Sequence, residues 1–183
     1  DYMEFGYKAS SEMFDTNKFG KWKFCNDDDI RAVVGDNNTD LKIAVMADVG
    51  RCDYKKDITD KANSPIDLVR VATYLNTMPS AAHMIEDIAA KGYEVTCNIM
   101  ALSNVQEADL RVALDILADT PVDVIYIVDS FGSLYPEQIA RIADLYMEYA
   151  VKYGKKVGMH AHNNQQLAFA NTIEAVGDGV DWL

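Results

Sequence analysis

The residues best suited to chemistry in this chain are His160 and His162, which close a short apolar run, Lys156-Val157-Gly158-Met159, and precede Asn163-Asn164. In an extended strand alternate side chains point the same way, so His160, His162 and Asn164 share one face, with the two histidine Cα atoms about 7 Å apart. Two neutral imidazoles at that spacing can converge on one divalent cation. The chain has 3 histidines. The third, His83, falls inside an amphipathic helical stretch, where a surface or packing role is expected. A strand-end pair that binds nothing is the plain alternative.

A metal-type pair needs a scaffold, and the chain supplies a repeating one. Apolar, β-rich runs are expected to form strands at 2–7, 42–48, 68–74, 94–100, 124–130 and 156–162, with 180–183 opening another. Most are continuously apolar, as strands covered on both faces in a parallel sheet are. Helices with readable ends alternate with the later strands. Pro79 opens one that runs through Met84, Ile85 and Ile88 towards Gly92. Ser103 and Gln106 form a capping-box pattern before Leu110, Ala113, Leu114 and Leu117. Pro136 opens a third, with Ile139, Ile142, Leu145, Tyr146 and Tyr149 on one stripe before Gly154. The polar stretches 8–40 and 49–65 are expected as surface loops or short helices.

Composition narrows the classes further. With 183 residues, 49% of them hydrophobic, the chain can bury one substantial core, and a single domain is expected. A formal charge of −12 argues against a nucleic-acid partner, which requires a basic footprint. No apolar run approaches the roughly 18 residues of a membrane span, and Asp1-Tyr2-Met3-Glu4 carries no signal-peptide pattern, so a cytoplasmic setting without a membrane partner is expected. The 3 cysteines, Cys25, Cys52 and Cys97, are widely spaced and suggest neither a disulfide framework nor a zinc knuckle.

Alternating strands and helices leave a doubly wound open sheet or a (β/α)8 TIM barrel. No G-x-G-x-x-G or G-x-x-x-x-G-K-[ST] loop follows a strand, which removes the usual reason to favour a nucleotide-binding sheet. Polar residues are expected instead to cluster where strands end: Glu4, Asp48, Arg70, Asn98, Asp129 with Ser130, and His160 with His162. That is the barrel's habit. A complete barrel takes about 250 residues, so an incomplete one is expected here.

At this point three segments carry a resemblance. Gly158-Met159-His160-Ala161-His162-Asn163-Asn164, continuing through Leu167-Ala168-Phe169-Ala170-Asn171, resembles the H-x-H-N metal strand and following helix of the DRE-TIM (HMGL-like) metal-dependent aldolase and lyase superfamily. Val69-Arg70-Val71-Ala72-Thr73 resembles its fourth strand, and Tyr126-Ile127-Val128-Asp129-Ser130-Phe131-Gly132 its sixth, which ends in a D-[ST]-x-G turn. The similarity is greatest to the 4-hydroxy-2-oxovalerate aldolase branch. It implies a partial TIM barrel over residues 1–183, from about the second strand to the start of the eighth. It places a third metal ligand, an aspartate, and a catalytic arginine on a strand before Asp1, as in a segment of a longer protein.

The resemblance implies a carbon–carbon lyase that cleaves or forms a 4-hydroxy-2-oxoacid through a pyruvate enolate. His160 and His162 would hold a divalent ion, Mn2+ ahead of Mg2+, Co2+ or Zn2+. Arg70 would neutralise negative charge on the small-molecule oxoacid, the alternative being a structural ion pair inside the barrel, and Glu4 would orient the family's arginine, the alternative being an ordinary strand-end carboxylate. Ser130, Asp129 and Asn98 would contact substrate, although Asp129 also fits a turn-forming role, and Asn98 and Asn164 would support the metal site. An aldehyde dehydrogenase partner and a homo-oligomer are compatible with this branch. The alternatives are an acyl-CoA Claisen condensation enzyme of the same fold and a non-catalytic barrel module that lacks the first-strand aspartate and arginine. Two positions depart from the family: Gln166 stands where many members have glycine, and Tyr74 where the aldolases tend to have histidine.

Overall fold

The computed structural model describes residues 1–183. Six parallel strands form one sheet in the order of the chain: β1 (Tyr2–Tyr7), β2 (Lys42–Asp48), β3 (Leu68–Thr73), β4 (Glu94–Ile99), β5 (Val124–Asp129) and β6 (Lys156–Ala161). All the expected strands form, the last four ending one residue earlier than their apolar runs. The stretch at 180–183 adds a single bridge, Gly158 to Trp182, reinforced by Met159 N–H donating to the Trp182 carbonyl at 2.8 Å.

Consecutive parallel strands require a crossover, and helices supply it. These are α1 (Asp27–Val34), the single turn α2 (Tyr54–Asp57), α3 (Met78–Ala90), α4 (Glu107–Ala118), α5 (Pro136–Tyr153) and α6 (Ala168–Gly177). Pro136 opens α5, and Gly154 closes it in the left-handed conformation at φ +66°, its N–H returning to the Ala150 carbonyl. This is the cap that the proline and glycine positions predict. The capping box expected at Ser103 and Gln106 does not form. Ser103 lies in a separate 3-10 turn, Leu102–Asn104, and Gln106 is itself the N-cap of α4 with no side-chain cap bond.

Alternation along the strands separates two environments. Val69, Val71, Val95, Cys97, Ile125, Ile127 and Val157 belong to the main core beneath the helices. Leu68, Arg70, Tyr126 and His160 face the other side, where Val124, Tyr126 and Val128 pack against Trp182. That second side is concave. In a flat sheet β1 and β6 would stand about 24 Å apart across five strand spacings. Yet the rings of Tyr2, on β1, and Trp182, bridged to β6, lie with centroids 5.3 Å apart. The sheet is therefore curled into an incomplete (β/α)8 barrel, and Glu4, Arg70 and Tyr126 come from alternate strands β1, β3 and β5, as one layer of barrel-filling side chains does. No helix is long and apolar enough to cross a membrane.

Candidate active site

The concave side holds a cavity of about 660 Å³ whose lining includes Glu4, Arg70, Tyr126, His160 and Trp182. Arg70 reaches it from the middle of β3. Its Nη1 donates to Glu4 Oε2 at 2.6 Å, and its guanidinium carbon stands 4.9 Å from the centre of the Tyr126 ring. Only 13% of the Arg70 side chain is exposed, whereas Glu4 is open to solvent, so water reaches the pair from the Glu4 side. Its Nε is buried without a partner.

His160 and His162 leave the end of β6 with ring centroids 4.9 Å apart. His160 lines the cavity, whereas His162 is exposed at the strand's end. His162 Nδ1 lies 2.8 Å from the Asp129 carbonyl oxygen. A carbonyl can only accept, so Nδ1 carries a proton, and in the neutral ring Nε2 keeps the free lone pair. Metal-binding histidines are oriented in this way. Burial lowers the pKa of His160 below its ordinary 6.5, and the positive charge of Arg70 and the neighbouring His162 lower it further. A neutral imidazole is the ligand form. These two donors fit a divalent cation in type and in the closeness of their rings, but no third His, Cys, Asp or Glu joins them to complete a cluster.

The turns after β5 and β6 interlock. Gly132 has φ +56°, and a Cβ there would stand 2.7 Å from Asn164 N and 2.8 Å from His162 O. Backbone meets backbone at this point, so glycine is required both for conformation and for space. Asn164 Nδ2 donates to the Phe131 carbonyl at 2.7 Å, and Asn163 Oδ1 accepts from Ala168 N–H at the start of α6. Asn164 thus ties the two turns together. Gln166 sits at φ +61°. A left-handed backbone favours glycine, and this chain occupies it with a side chain at a cost of about 1–2 kcal/mol.

The remaining candidates divide. Ser130, half-buried at the end of β5, accepts from Ala101 N–H at 2.8 Å and keeps its own proton free to donate. Asn98 is on the concave face but is covered, with Oδ1 unpartnered, and does not line the cavity. Asp129 is a correction. It is fully buried on the helix side of β5, and its carboxylate accepts from Ser133 and Leu134 N–H at 3.0 and 3.2 Å. Its side chain forms the turn and faces away from the cavity, because it is one residue out of phase with Tyr126, Val128 and Ser130. His83 is exposed on α3 beside Glu86. Tyr74 is exposed beyond β3, at the start of a 3-10 turn. Sequence reasoning missed Tyr126, although counting back by twos from Ser130 puts it on the site's face.

Fold and site together define a parallel (β/α) barrel with its polar groups gathered inside the barrel and at the carboxyl ends of strands. The chain belongs to the HMGL-like family, which it matches over residues 1–183. Among curated proteins it is 31% identical over 129 residues to 4-hydroxy-2-oxovalerate aldolase from Brevibacillus brevis, covering 70% of this chain and 37% of that protein. It is 30% identical over 128 residues to oxaloacetate decarboxylase from Mycobacterium tuberculosis, covering 69% and 37%. The chain therefore spans little more than a third of the curated relatives it matches. Among solved structures, the N-terminal domain of a protein from Bacteroides vulgatus assigned as an aldolase superposes with a TM-score of 0.75 at 25% identity, covering 100% of this chain and 59% of that one. An HMG-CoA lyase from Acinetobacter baumannii shares the fold, with a TM-score of 0.70 at 12% identity, covering 98% and 60%.

Proposed function

We propose that this chain is part of a divalent-metal-dependent carbon–carbon lyase that cleaves a 4-hydroxy-2-oxoacid to pyruvate and an aldehyde, or runs the reverse condensation. The observation that carries the reading is the His160–His162 pair, its rings 4.9 Å apart, with an Arg70 that faces the cavity His160 lines. In the cleavage direction the C4 hydroxyl loses its proton and the C3–C4 bond breaks. Its electron pair passes into the C2–C3 bond of a pyruvate enolate, which then takes a proton at C3. A divalent ion held by the two histidines would supply a Lewis acid for the ketone oxygen.

The chain's own residues contribute in three ways. Arg70 offers a largely buried cation for the oxoacid's negative charge. Glu4 holds one arm of that guanidinium in place. Ser130 has a hydroxyl proton to donate to substrate or to a bound water. The aldehyde released is reactive, and a dehydrogenase partner is the natural recipient.

The relative named oxaloacetate decarboxylase supports a second reading, because loss of CO2 from oxaloacetate produces the same pyruvate enolate. Both readings need the same residues and differ only in the leaving group. Pyruvate release from 4-hydroxy-2-oxoacids and from oxaloacetate, measured on the full-length protein with and without chelator, tests them. Cleavage of the hydroxy-oxoacids that chelator abolishes supports the aldolase. Release from oxaloacetate alone replaces it with the decarboxylase, and chelator-resistant release from both defeats the metal assignment.

A further inference from the structure

Arg70 has five N–H donors, yet its one hydrogen bond within the chain goes to Glu4, so something else must aim a long, flexible side chain. The other neighbour on the page is Tyr126, whose ring face lies 4.9 Å from the guanidinium carbon. Tyr126 is 5% exposed, and its hydroxyl makes no hydrogen bond within the chain, so its contribution comes through the ring.

The ring is itself placed by its register partner across the sheet, Gly158 on β6. A Cβ at Gly158 would stand 2.5 Å, 2.6 Å and 2.8 Å from Cε1, Cδ1 and Cζ of Tyr126. Gly158 does not have the left-handed φ that would call for glycine on conformational grounds. It is glycine for space alone, and the Tyr126 ring fills that space. Two residues further along the same face of the strand stands His160. The ring therefore lies on the same concave face as both Arg70 and His160.

We infer that Tyr126 is a positioning residue that fixes the Arg70 guanidinium for a carboxylate-bearing ligand, and that Gly158 is the socket that makes this placement possible. The identity of the ligand as an oxoacid rests on the aldolase reading, but the placement of Arg70 does not.

Oxalate, a planar anion resembling the pyruvate enolate, is a suitable probe, and its binding to the Mn2+-loaded full-length protein is read by calorimetry. Tyr126→Phe keeps the ring and should bind oxalate within about threefold of the parent. Tyr126→Leu should weaken binding about tenfold, the size of a shielded cation–ring contact. Gly158→Ala, by displacing the ring, should do the same. In an Arg70→Ala background Tyr126→Leu should cost nothing further, because Tyr126 acts through Arg70. Metal content, measured in parallel, separates a lost arginine placement from a lost metal site.

Equal effects of Phe and Leu, additive effects in the Arg70→Ala background, or absence of oxalate binding by the parent protein would each overturn the inference. Where Gly158→Ala does not fold, the Tyr126 pair and the Arg70→Ala background still give the answer. A parent protein that binds oxalate yet releases no pyruvate from any 4-hydroxy-2-oxoacid would instead defeat the aldolase reading and leave the role of Tyr126 standing.

Discussion

Gly132→Ala, compared with Gly154→Ala, gives a direct measure of how firmly the two turns of the site are locked together. Both glycines are left-handed, at φ +56° and +66°, so alanine carries at each a conformational cost of about 1–2 kcal/mol. The gain from a stiffer unfolded chain is also common to both and cancels in the comparison. Their surroundings differ. A Cβ at Gly154 meets nothing within 4 Å, whereas at Gly132 it meets Asn164 N at 2.7 Å and His162 O at 2.8 Å.

Neither of those atoms can move by a rotamer change, so the turn after β6 must shift as a unit. Overpacking of this kind costs about 1–3 kcal/mol. Gly132→Ala should therefore lose about 2–5 kcal/mol and Gly154→Ala about 1–2 kcal/mol, read as midpoints of urea unfolding of the full-length protein at unchanged slope. Because the displaced atoms belong to His162 and Asn164, the metal content of Gly132→Ala should fall as well. Equal losses at the two positions, with metal content intact, would refute the claim that these turns are sterically interlocked.

Other consequences are as direct. Replacing both His160 and His162 by alanine should abolish bound divalent metal in elemental analysis of the purified full-length protein, and unchanged content would defeat the ligand assignment. Burial, then Arg70 and His162, hold His160 below its ordinary pKa of 6.5, so the unfolded chain binds the extra proton first as pH falls. The stability that neutral His160 contributes to the metal-free protein is complete above pH 6.5 and is lost as pH drops through 6.5 towards the lower folded-state value. His160→Asn should flatten that part of the stability profile in pH-dependent urea titrations. Asp129→Asn puts an amide donor where the carboxylate receives two backbone N–H groups, and a loss of about 1–3 kcal/mol in unfolding free energy is expected. Tyr146 is almost fully buried with its hydroxyl unpartnered, so Tyr146→Phe should be neutral or stabilising by up to about 1 kcal/mol, and a clear loss in the same assay would show an unrecognised partner.

Much of the site was legible because its parts obey short-range rules. The period of two places Arg70 with Leu68 on one face of β3 and His160 on the concave face of β6, and Pro136 and Gly154 mark the ends of α5 without help from the rest of the molecule. The same period also carried the warning that Asp129 would point away from Ser130. Where local signals failed, a distant partner had intervened. The pattern at Ser103 reads as a capping box, yet Ala101 adopts φ +60° and its N–H donates to Ser130 Oγ, so the chain turns before the helix can start there. At Gln166 the residue type alone does not signal the left-handed backbone that the folded turn shows.

The sequence by itself determined a strand-helix alternation, an acidic chain with a formal charge of −12, and a pair of histidines able to share a face. It could do so because periodicity, charge and turn chemistry act over a few residues. Only the tertiary structure decided that Glu4 meets Arg70 from 66 positions away, that the Asp129 carbonyl leaves the His162 Nε2 lone pair free, and that Gly158 is empty so that Tyr126 can lie across it. Those contacts depend on strand register and on the curl of the sheet, which arise from packing the whole chain.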